Sequence, residues 1–137
     1  MKLSPQQQAI VDFRGRDLLV LAGAGSGKTE AVARRTSSLI ADGADPASIV
    51  AFTFTEKAAA ELKQRILMRV SERMGEGYLP KLASMFVGTI HAYCFRLLQE
   101  QVPRYADYDV LDEHAHAAFL SRHHASLGLK NIGKGHW

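Results

Sequence analysis

The sequence predicts an α/β fold built on a parallel sheet, and three observations lead to that class. Short apolar runs rich in β-forming residues alternate with longer runs of helical periodicity. A glycine-rich loop separates the first apolar run from the helix that follows it. Each later strand is followed directly by a helix. Such short connections return the chain to the same sheet, so the strands are expected to be parallel.

The first element is a helix that begins near the amino terminus and runs to about Phe13. Ser4 can cap it, Pro5 suits the first helical position, and Gln7 is placed to complete a capping box. Apolar runs then predict strands over 18–22, 49–53 and 84–88, with helices over 28–41, 56–74, 90–101 and 113–126 and a loop over 75–82. The long helix has apolar residues at a four-residue step, which indicates one buried face: Ala58, Leu62, Ile66 and Val70.

The amino-acid composition excludes few classes of function. The net charge of +3 is compatible with nucleic-acid binding without requiring it. The single cysteine, Cys94, excludes a disulfide framework and fits a reducing compartment, and it is expected to be buried on a helix. With neither a membrane-length apolar run nor a secretory leader in the sequence, we expect a cytoplasmic protein that does not contact a membrane.

The most informative segment is the glycine-rich loop that opens the second helix. Its glycines let successive backbone N–H groups turn toward phosphate oxygens, and the helix start adds further N–H groups. Lys28 is expected to reach the outer phosphates, and the Thr29 hydroxyl is expected to ligate Mg²⁺. The usual pattern begins with Gly where this chain has Ala22, but the other fixed positions match. The predicted nucleotide-binding residues of this loop are Ala22, Gly23, Ala24, Gly25, Ser26, Gly27, Lys28 and Thr29.

Two later segments place polar side chains where a strand ends and a helix starts, the edge at which open α/β sheets bind ligands. In the first, Thr53, Thr55 and Lys57 offer phosphate contacts, and Phe54 offers a face on which a base can stack. The alternative, which residue physics alone favours, buries Phe54 in the core and uses Thr55 as a helix cap. In the second segment Gly88 frees the strand end, and Thr89 and His91 flank the next helix start. By itself His91 does not indicate a function, because a lone histidine is more often a hydrogen-bonded structural residue than a functional one.

Basic side chains also follow the long helix, beside its apolar face. Arg65, Arg69 and Arg73 form this stripe. We interpret the stripe as a solvated helix face, with contact to a DNA backbone as the alternative.

Four segments in order resemble the start of the UvrD/Rep/PcrA-like superfamily 1 DNA helicases. Leu3–Val11 looks like the opening glutamine motif, with Gln7 at the adenine-reading position. Leu19–Thr29 looks like the phosphate loop. Phe52–Glu61 looks like the next motif, and Val87–His91 looks like the Gly-Thr-x-His motif; both touch single-stranded DNA in that family. The resemblance covers residues 3 to about 98.

This resemblance implies a P-loop NTPase (RecA-like) three-layer sandwich, present in part, with the start of an inserted helical subdomain. Residues 1–101 would be the N-terminal part of the ATP-binding lobe, and residues 102–137 would begin the subdomain. The implied activity is ATP hydrolysis coupled to 3′-to-5′ movement on single-stranded DNA, with ATP and Mg²⁺ as cofactors. It leaves open whether the pathway is repair, recombination or replication.

The sequence also departs from the family pattern. Glu30 follows the phosphate loop where many relatives have Arg, and Glu56 replaces a more usual Asn before Lys57. Asp112-Glu113 has the composition of the acidic pair that such an ATPase needs, but Asp109 interrupts the apolar run before it and both acids suit the first turn of a helix. We therefore assign no catalytic residue within this chain and expect a piece of a longer helicase or a truncated frame, lacking the second RecA-like lobe.

Two other function classes fit parts of the pattern. A small P-loop kinase would need an acidic strand and a basic lid within this length, and the sequence offers neither. A non-catalytic module that binds nucleotide or DNA without turnover is the other alternative. ATPase activity stimulated by single-stranded DNA separates the helicase from both.

Overall fold

The computed structural model describes residues 3–23 and 25–128. In these residues the helices are α1 (Pro5–Asp12), α2 (Lys28–Ala41), α3 (Glu56–Met74), α4 (Ile90–Gln101) and α5 (Glu113–His123). The strands are β1 (Val50–Thr53) and β2 (Phe86–Thr89), and short 3-10 helices cover Pro46–Ser48, Glu76–Ser84 and Pro103–Tyr105. The chain divides after Arg96 into two compact units. None of the described helices is long and apolar enough to cross a bilayer.

The helices of the first unit follow the sequence closely because their ends are specified locally. The Ser4 hydroxyl accepts from the Gln7 amide and the Gln7 side chain accepts from the Ser4 amide, so the predicted capping box is confirmed. The bounds predicted for α2, α3 and α4 match the observed ones. On α4, Cys94 is exposed, so the expectation that it is buried is wrong.

The core of the first unit lies between α2, α3 and one face of the small sheet. Ile66 and Val70 of α3 are completely buried, and they cluster with Ala33 and Ile40 of α2. The strand residues Ala51 and Val87 and the 3-10 residue Leu82 are also part of this cluster or pack against it. The predicted apolar face of α3 is confirmed with one change, because Ala59 is buried while Ala58 is only half-buried.

The predicted parallel sheet is confirmed, but within the described residues it contains two strands where the sequence predicted three. β1 and β2 pair in parallel with Val50 opposite Phe86 and Thr53 opposite Thr89, and α3 forms the crossover. β2 starts at Phe86 rather than at residue 84, because the chain up to Ser84 forms the 3-10 helix Glu76–Ser84. Most of that helix was predicted as a loop.

The strand predicted over 18–22 is not present in the described part of the chain. Its side chains are open to solvent, Leu19 at 85% and Leu21 at 89% exposure. A strand is held by hydrogen bonds to a neighbouring strand. The apolar composition of this run predicted a strand covered on both faces, but in the described residues no layer covers it. The prediction failed because it rested on composition alone.

The second unit contains the 3-10 helix Pro103–Tyr105 and α5. Asp112 caps α5, with its carboxylate 2.7 Å from the Ala115 amide nitrogen. This confirms that Asp112 belongs to a helix start. The helix ends at His123 rather than at residue 126. The side chain of Gln99 donates to the Tyr108 carbonyl, 2.9 Å away, and fixes the turn between α4 and α5.

Candidate nucleotide site and strand-end surface

The predicted phosphate loop leads directly into α2, and its conformation requires glycine. Gly25 has φ 72° and Gly27 has φ 80°, both in the left-handed region. The Ser26 hydroxyl donates to the Gly23 carbonyl at 2.8 Å, which closes the turn. Gly27 is the N-cap of α2 and provides no side-chain cap, so the first N–H groups of that helix are available to an anion. Ala24 lies outside the described residues.

Lys28, the first residue of α2, turns back over this loop. Its ammonium nitrogen lies 3.0 Å from the Ala22 carbonyl oxygen and 2.6 Å from that of Gly23. A lysine held there presents its charge to the concave side of the loop, where oxygen acceptors on a ligand would compete with the two carbonyls. Thr29 is exposed and lines a neighbouring cleft of about 190 Å³ together with Thr53 and Glu61.

Helix α1 brings Gln7 against the same loop. The Gln7 Nε2 donates to the Ser26 carbonyl at 3.0 Å, across 19 residues of sequence. A Cβ atom added to Gly27 would lie 2.6 Å from that Nε2, so the two segments are in close contact. Between α1 and the loop lies a cleft of about 570 Å³, which is within the usual size range of small-molecule sites. Its polar lining includes Ser4, Gln6, Gln7, Ser26 and Lys28.

The residues predicted to contact DNA lie at the carboxyl ends of β1 and β2. Thr53 and Thr89 end the two strands and are register partners. Phe54 follows β1 and is 98% exposed, so the alternative that buries it is wrong. The other half of that alternative is confirmed, because the Thr55 hydroxyl accepts from the Ala58 amide at 3.1 Å and caps α3. Lys57 is likewise exposed.

The two strand ends are joined by a side-chain hydrogen bond. Thr89, only 8% exposed, donates its hydroxyl to Glu56 Oε1 at 3.0 Å and accepts from the Ala92 amide at 3.2 Å. Glu56 is the position that departs from the family pattern. His91 is exposed on the first turn of α4. The hydroxyl hydrogen of Thr89 is therefore already engaged within the protein.

An aromatic cluster on the sheet was not predicted from the sequence. Phe52, Phe86 and Tyr93 pack edge to face, with ring centroids 4.9 to 6.3 Å apart. A Cβ atom on Gly88 would lie 2.7 Å from the Phe86 ring, so glycine is needed there to make room for that ring. The signal that was available is one phenylalanine in each strand. The register places Phe86 opposite Val50, two residues before Phe52, so both rings lie on the same face of the sheet. Phe52 remains 47% exposed beside Phe54.

Glu30 forms an ion-pair network that joins α2 to α3. Its carboxylate bonds Arg34 one turn on, at 2.5 Å, and Arg69 of α3 at 2.7 Å. Arg69 also bonds Glu72 at 2.7 Å. Burial raises the pKa of Glu30, but the hydrogen bond from Arg34 and the charges of Arg69 and Arg34 more than offset this and leave the pKa below its ordinary value.

The same network corrects the interpretation of the basic stripe on α3. The side chain of Arg69 is only 17% exposed and is ion-paired, so it belongs neither to a solvated face nor to a free DNA-binding surface. Arg65 and Arg73 are exposed as expected. The ion pair of Glu30 with Arg34 could have been predicted from their four-residue spacing on a helix. The pairing of Glu30 with Arg69 could not, because it depends on how α2 and α3 pack.

Comparison with known proteins agrees with these motifs. The model of the UvrD/REP helicase N-terminal domain matches residues 3–132. The chain is 45% identical over 100 residues to the ATP-dependent DNA helicase UvrD1 of Mycobacterium leprae, covering 72% of this chain and 12% of that protein. It is 36% identical over 141 residues to DNA helicase II of Escherichia coli, covering 98% of this chain and 18% of that protein.

A further relative is a probable DNA helicase of Mycoplasma pneumoniae, 36% identical over 99 residues, covering 72% of this chain and 17% of that protein. The chain thus spans less than a fifth of the length of each of these curated relatives. The family match nevertheless covers most of its own length, including the phosphate loop and both strand-end segments. By this match, the chain belongs to the UvrD/REP helicase N-terminal domain family.

Proposed function

We propose that this chain is the ATP-binding N-terminal portion of an ATP-dependent DNA helicase. The intact protein would couple ATP hydrolysis to 3′-to-5′ movement along single-stranded DNA and to unwinding of duplexes. The observation that carries the proposal is the meeting of Gln7 and Lys28 on one loop, with hydrogen bonds to Ser26, Ala22 and Gly23. The names of the relatives support the same function, since all three are DNA helicases and the one from Mycobacterium leprae is named as ATP-dependent.

The residues of the loop fit a nucleotide with its metal. Backbone N–H groups and the Lys28 ammonium suit the phosphates, and the exposed Thr29 hydroxyl suits Mg²⁺. Gln7 carries an amide with both a donor and an acceptor, the chemistry that reads the edge of adenine. When bound, ATP supplies the free energy of hydrolysis and Mg²⁺ offsets the charge of the phosphates. We assign no catalytic residue within this chain.

Single-stranded DNA would follow the carboxyl ends of β1 and β2. The exposed ring of Phe54 offers a stacking face after β1, and Lys57 and His91 are exposed in the segments that follow β1 and β2. Thr53, Thr55 and Thr89 stand at the two strand ends on this path. The Thr89 hydroxyl is buried and donates to Glu56, so it would shape the path through that bond rather than donate to DNA. The net charge of +3 favours approach of a polyanion.

The finer assignments belong to the same proposal. We place residues 1–101 in a P-loop (RecA-like) three-layer sandwich, of which they form a part, and residues 102–137 at the start of an inserted helical subdomain. The remainder of the helicase, including a second RecA-like lobe, would be the protein partner. The compartment we propose is the cytoplasm, where DNA and ATP are both available.

The test is nucleotide binding by calorimetry, with Mg²⁺ and a non-hydrolysable ATP analogue. We expect the chain to bind the analogue and Lys28→Ala to weaken binding at least about tenfold, since charge-assisted phosphate contacts are lost. Lys63→Ala, which removes an exposed lysine of α3, serves as the matched control and should bind like the unchanged chain. A folded chain that binds no nucleotide, or binds equally well without Lys28, would overturn the proposed site.

A second arm separates the helicase from a binding module. The 137-residue chain is joined to the remainder of its protein, and ATPase activity is measured with and without single-stranded DNA. We expect stimulation by the DNA. Nucleotide binding without stimulated turnover would instead identify a non-catalytic module, and phosphoryl transfer to a small acceptor would identify a kinase.

A further inference from the structure

Helix α1 carries Gln7, yet little in its own composition holds it in place. It has eight residues, fewer than an isolated helix needs to be stable in water, and Val11 is its buried side chain. Its position against α2 must therefore depend on contacts other than helix propensity or a broad apolar face.

Those contacts are hydrogen bonds to the carbonyl groups at its C-terminal end, which a helix leaves without internal partners. Arg35 of α2 donates through one nitrogen, Nη1, to the Ile10 carbonyl at 2.7 Å and to the Phe13 carbonyl at 2.6 Å. Arg14 donates to the Val11 carbonyl and reaches Asp42 beyond the end of α2. A cationic donor at this end also complements the helix dipole.

Arg35 and the phosphate loop belong to the same helix. Lys28 is the first residue of α2, and Arg35 lies seven residues on, about 10 Å along the axis. One rigid element thus holds the loop at its start and the C-terminal end of α1 two turns later. At the opposite end of α1, a neutral hydrogen bond from Gln7 to the Ser26 carbonyl ties the helix to the described part of the loop.

We propose that Arg35 is a positioning residue that fixes α1, and with it Gln7, against the phosphate loop. Arg35 is not among the residues that line the cleft, and it acts on α1 through the carbonyls of Phe13 and of Ile10, whose residue does line the cleft. Because this inference rests on the proposed nucleotide site, it predicts a selective defect. Loss of Arg35 weakens binding at the base end of a nucleotide and leaves binding at the phosphate end intact.

The experiment uses Arg35→Met, which keeps a long unbranched side chain and removes the donors. Arg35→Lys restores a cationic donor, and Arg65→Met is the matched control at an exposed site on α3. Calorimetry with Mg²⁺ compares the non-hydrolysable ATP analogue with inorganic tripolyphosphate. We expect Arg35→Met to weaken the analogue about tenfold and tripolyphosphate less than about twofold, with partial recovery in Arg35→Lys.

Hydrogen exchange of the amides of α1 gives a readout that needs no ligand. We expect these amides to lose protection in Arg35→Met while those of α3 keep theirs, which also shows that the variant folds. Unchanged protection in α1 overturns the inference. So does an equal loss for the two ligands, since this would indicate damage to the phosphate loop rather than misplacement of Gln7.

The two proposals fail in different ways. A chain that binds neither ligand before any substitution contradicts the nucleotide site, and it also removes the base-end role proposed for Arg35. The exchange measurement still decides whether Arg35 holds α1. A chain that binds both ligands, with Arg35→Met indistinguishable from Arg65→Met, keeps the nucleotide site and refutes the role of Arg35.

Discussion

Thr89 and Glu56 join the two strand ends through one hydrogen bond, with Thr89 Oγ1 3.0 Å from Glu56 Oε1. The hydroxyl is buried and also accepts from the Ala92 amide, so it ties the start of α3 to the start of α4. The side chains proposed to contact DNA flank this bond. The bond therefore links the two segments that carry those side chains.

The energy of this bond can be measured by a double-mutant cycle. We expect Thr89→Val to lower the free energy of unfolding by about 1 to 2 kcal/mol, since it removes a donor to Glu56 and an acceptor for Ala92. Glu56→Ala should cost about 1 kcal/mol, and the double variant should cost less than the sum. Urea unfolding provides the values. Strict additivity would show that the two side chains do not interact in solution.

Gly27→Ala tests the contact between the phosphate loop and α1. The added Cβ would lie 2.6 Å from Gln7 Nε2, and the backbone is left-handed with φ 80°. We expect a loss of about 1 to 2 kcal/mol in folding free energy from the backbone alone, together with weaker nucleotide binding.

Gly77→Ala is the control for this change, because a Cβ atom there meets nothing within 4 Å and no positive φ is required. Thermal unfolding and calorimetry compare the two variants. Similar behaviour of the two would argue against the left-handed loop that the structure describes.

Phe54→Ala tests the proposed stacking surface. The side chain is 98% exposed, so its removal should change the folding free energy by less than about 0.5 kcal/mol. Affinity for single-stranded DNA should fall by about 1 to 3 kcal/mol, and Phe54→Trp should retain it. Fluorescence anisotropy with a labelled oligonucleotide measures the affinity. Leu19→Ala, at another exposed apolar side chain, should leave DNA binding unchanged; equal losses would point to a general effect of surface apolarity.

The Glu30 network predicts a dependence of stability on pH. Its carboxyl has a pKa below the ordinary 4.5 in the folded chain, so ionised Glu30 stabilises the fold above that value. As pH falls through the lowered folded pKa, this contribution is lost. Urea unfolding between about pH 6 and pH 3 should therefore show a steeper fall in stability for the unchanged chain than for Glu30→Gln.

Glu76→Gln, at an exposed glutamate, is the control for the pH series and should follow the unchanged chain. A Glu30→Gln profile parallel to the unchanged one would mean that Arg34 and Arg69 do not perturb Glu30 in solution. The comparison thus isolates the ion pairs from general protonation of surface acids.

Whether a contact could be predicted from the sequence depends on how far apart its two residues lie along the chain. The capping box at Ser4 and Gln7 spans three residues, and the cap at Thr55 likewise acts on the next turn. Both were predicted correctly, because such contacts form wherever the local backbone is helical. The run over 18–22 has equally suggestive local composition, but a strand also needs a partner at its edge, which composition does not specify.

By itself, the sequence determined the bounds of α2, α3 and α4, the glycine-rich phosphate loop and the order of motifs that places the chain among UvrD/REP helicase N-terminal domains. Only the tertiary structure decided which distant groups meet: Gln7 with Ser26, Glu30 with Arg69, and Glu56 with Thr89. Arg69 shows the reason. Its spacing on α3 indicated a solvated face, and the packing of α2 against that helix buried it beside a carboxylate. Local patterns record backbone preference, whereas pairing across elements is fixed by the burial that the whole fold achieves.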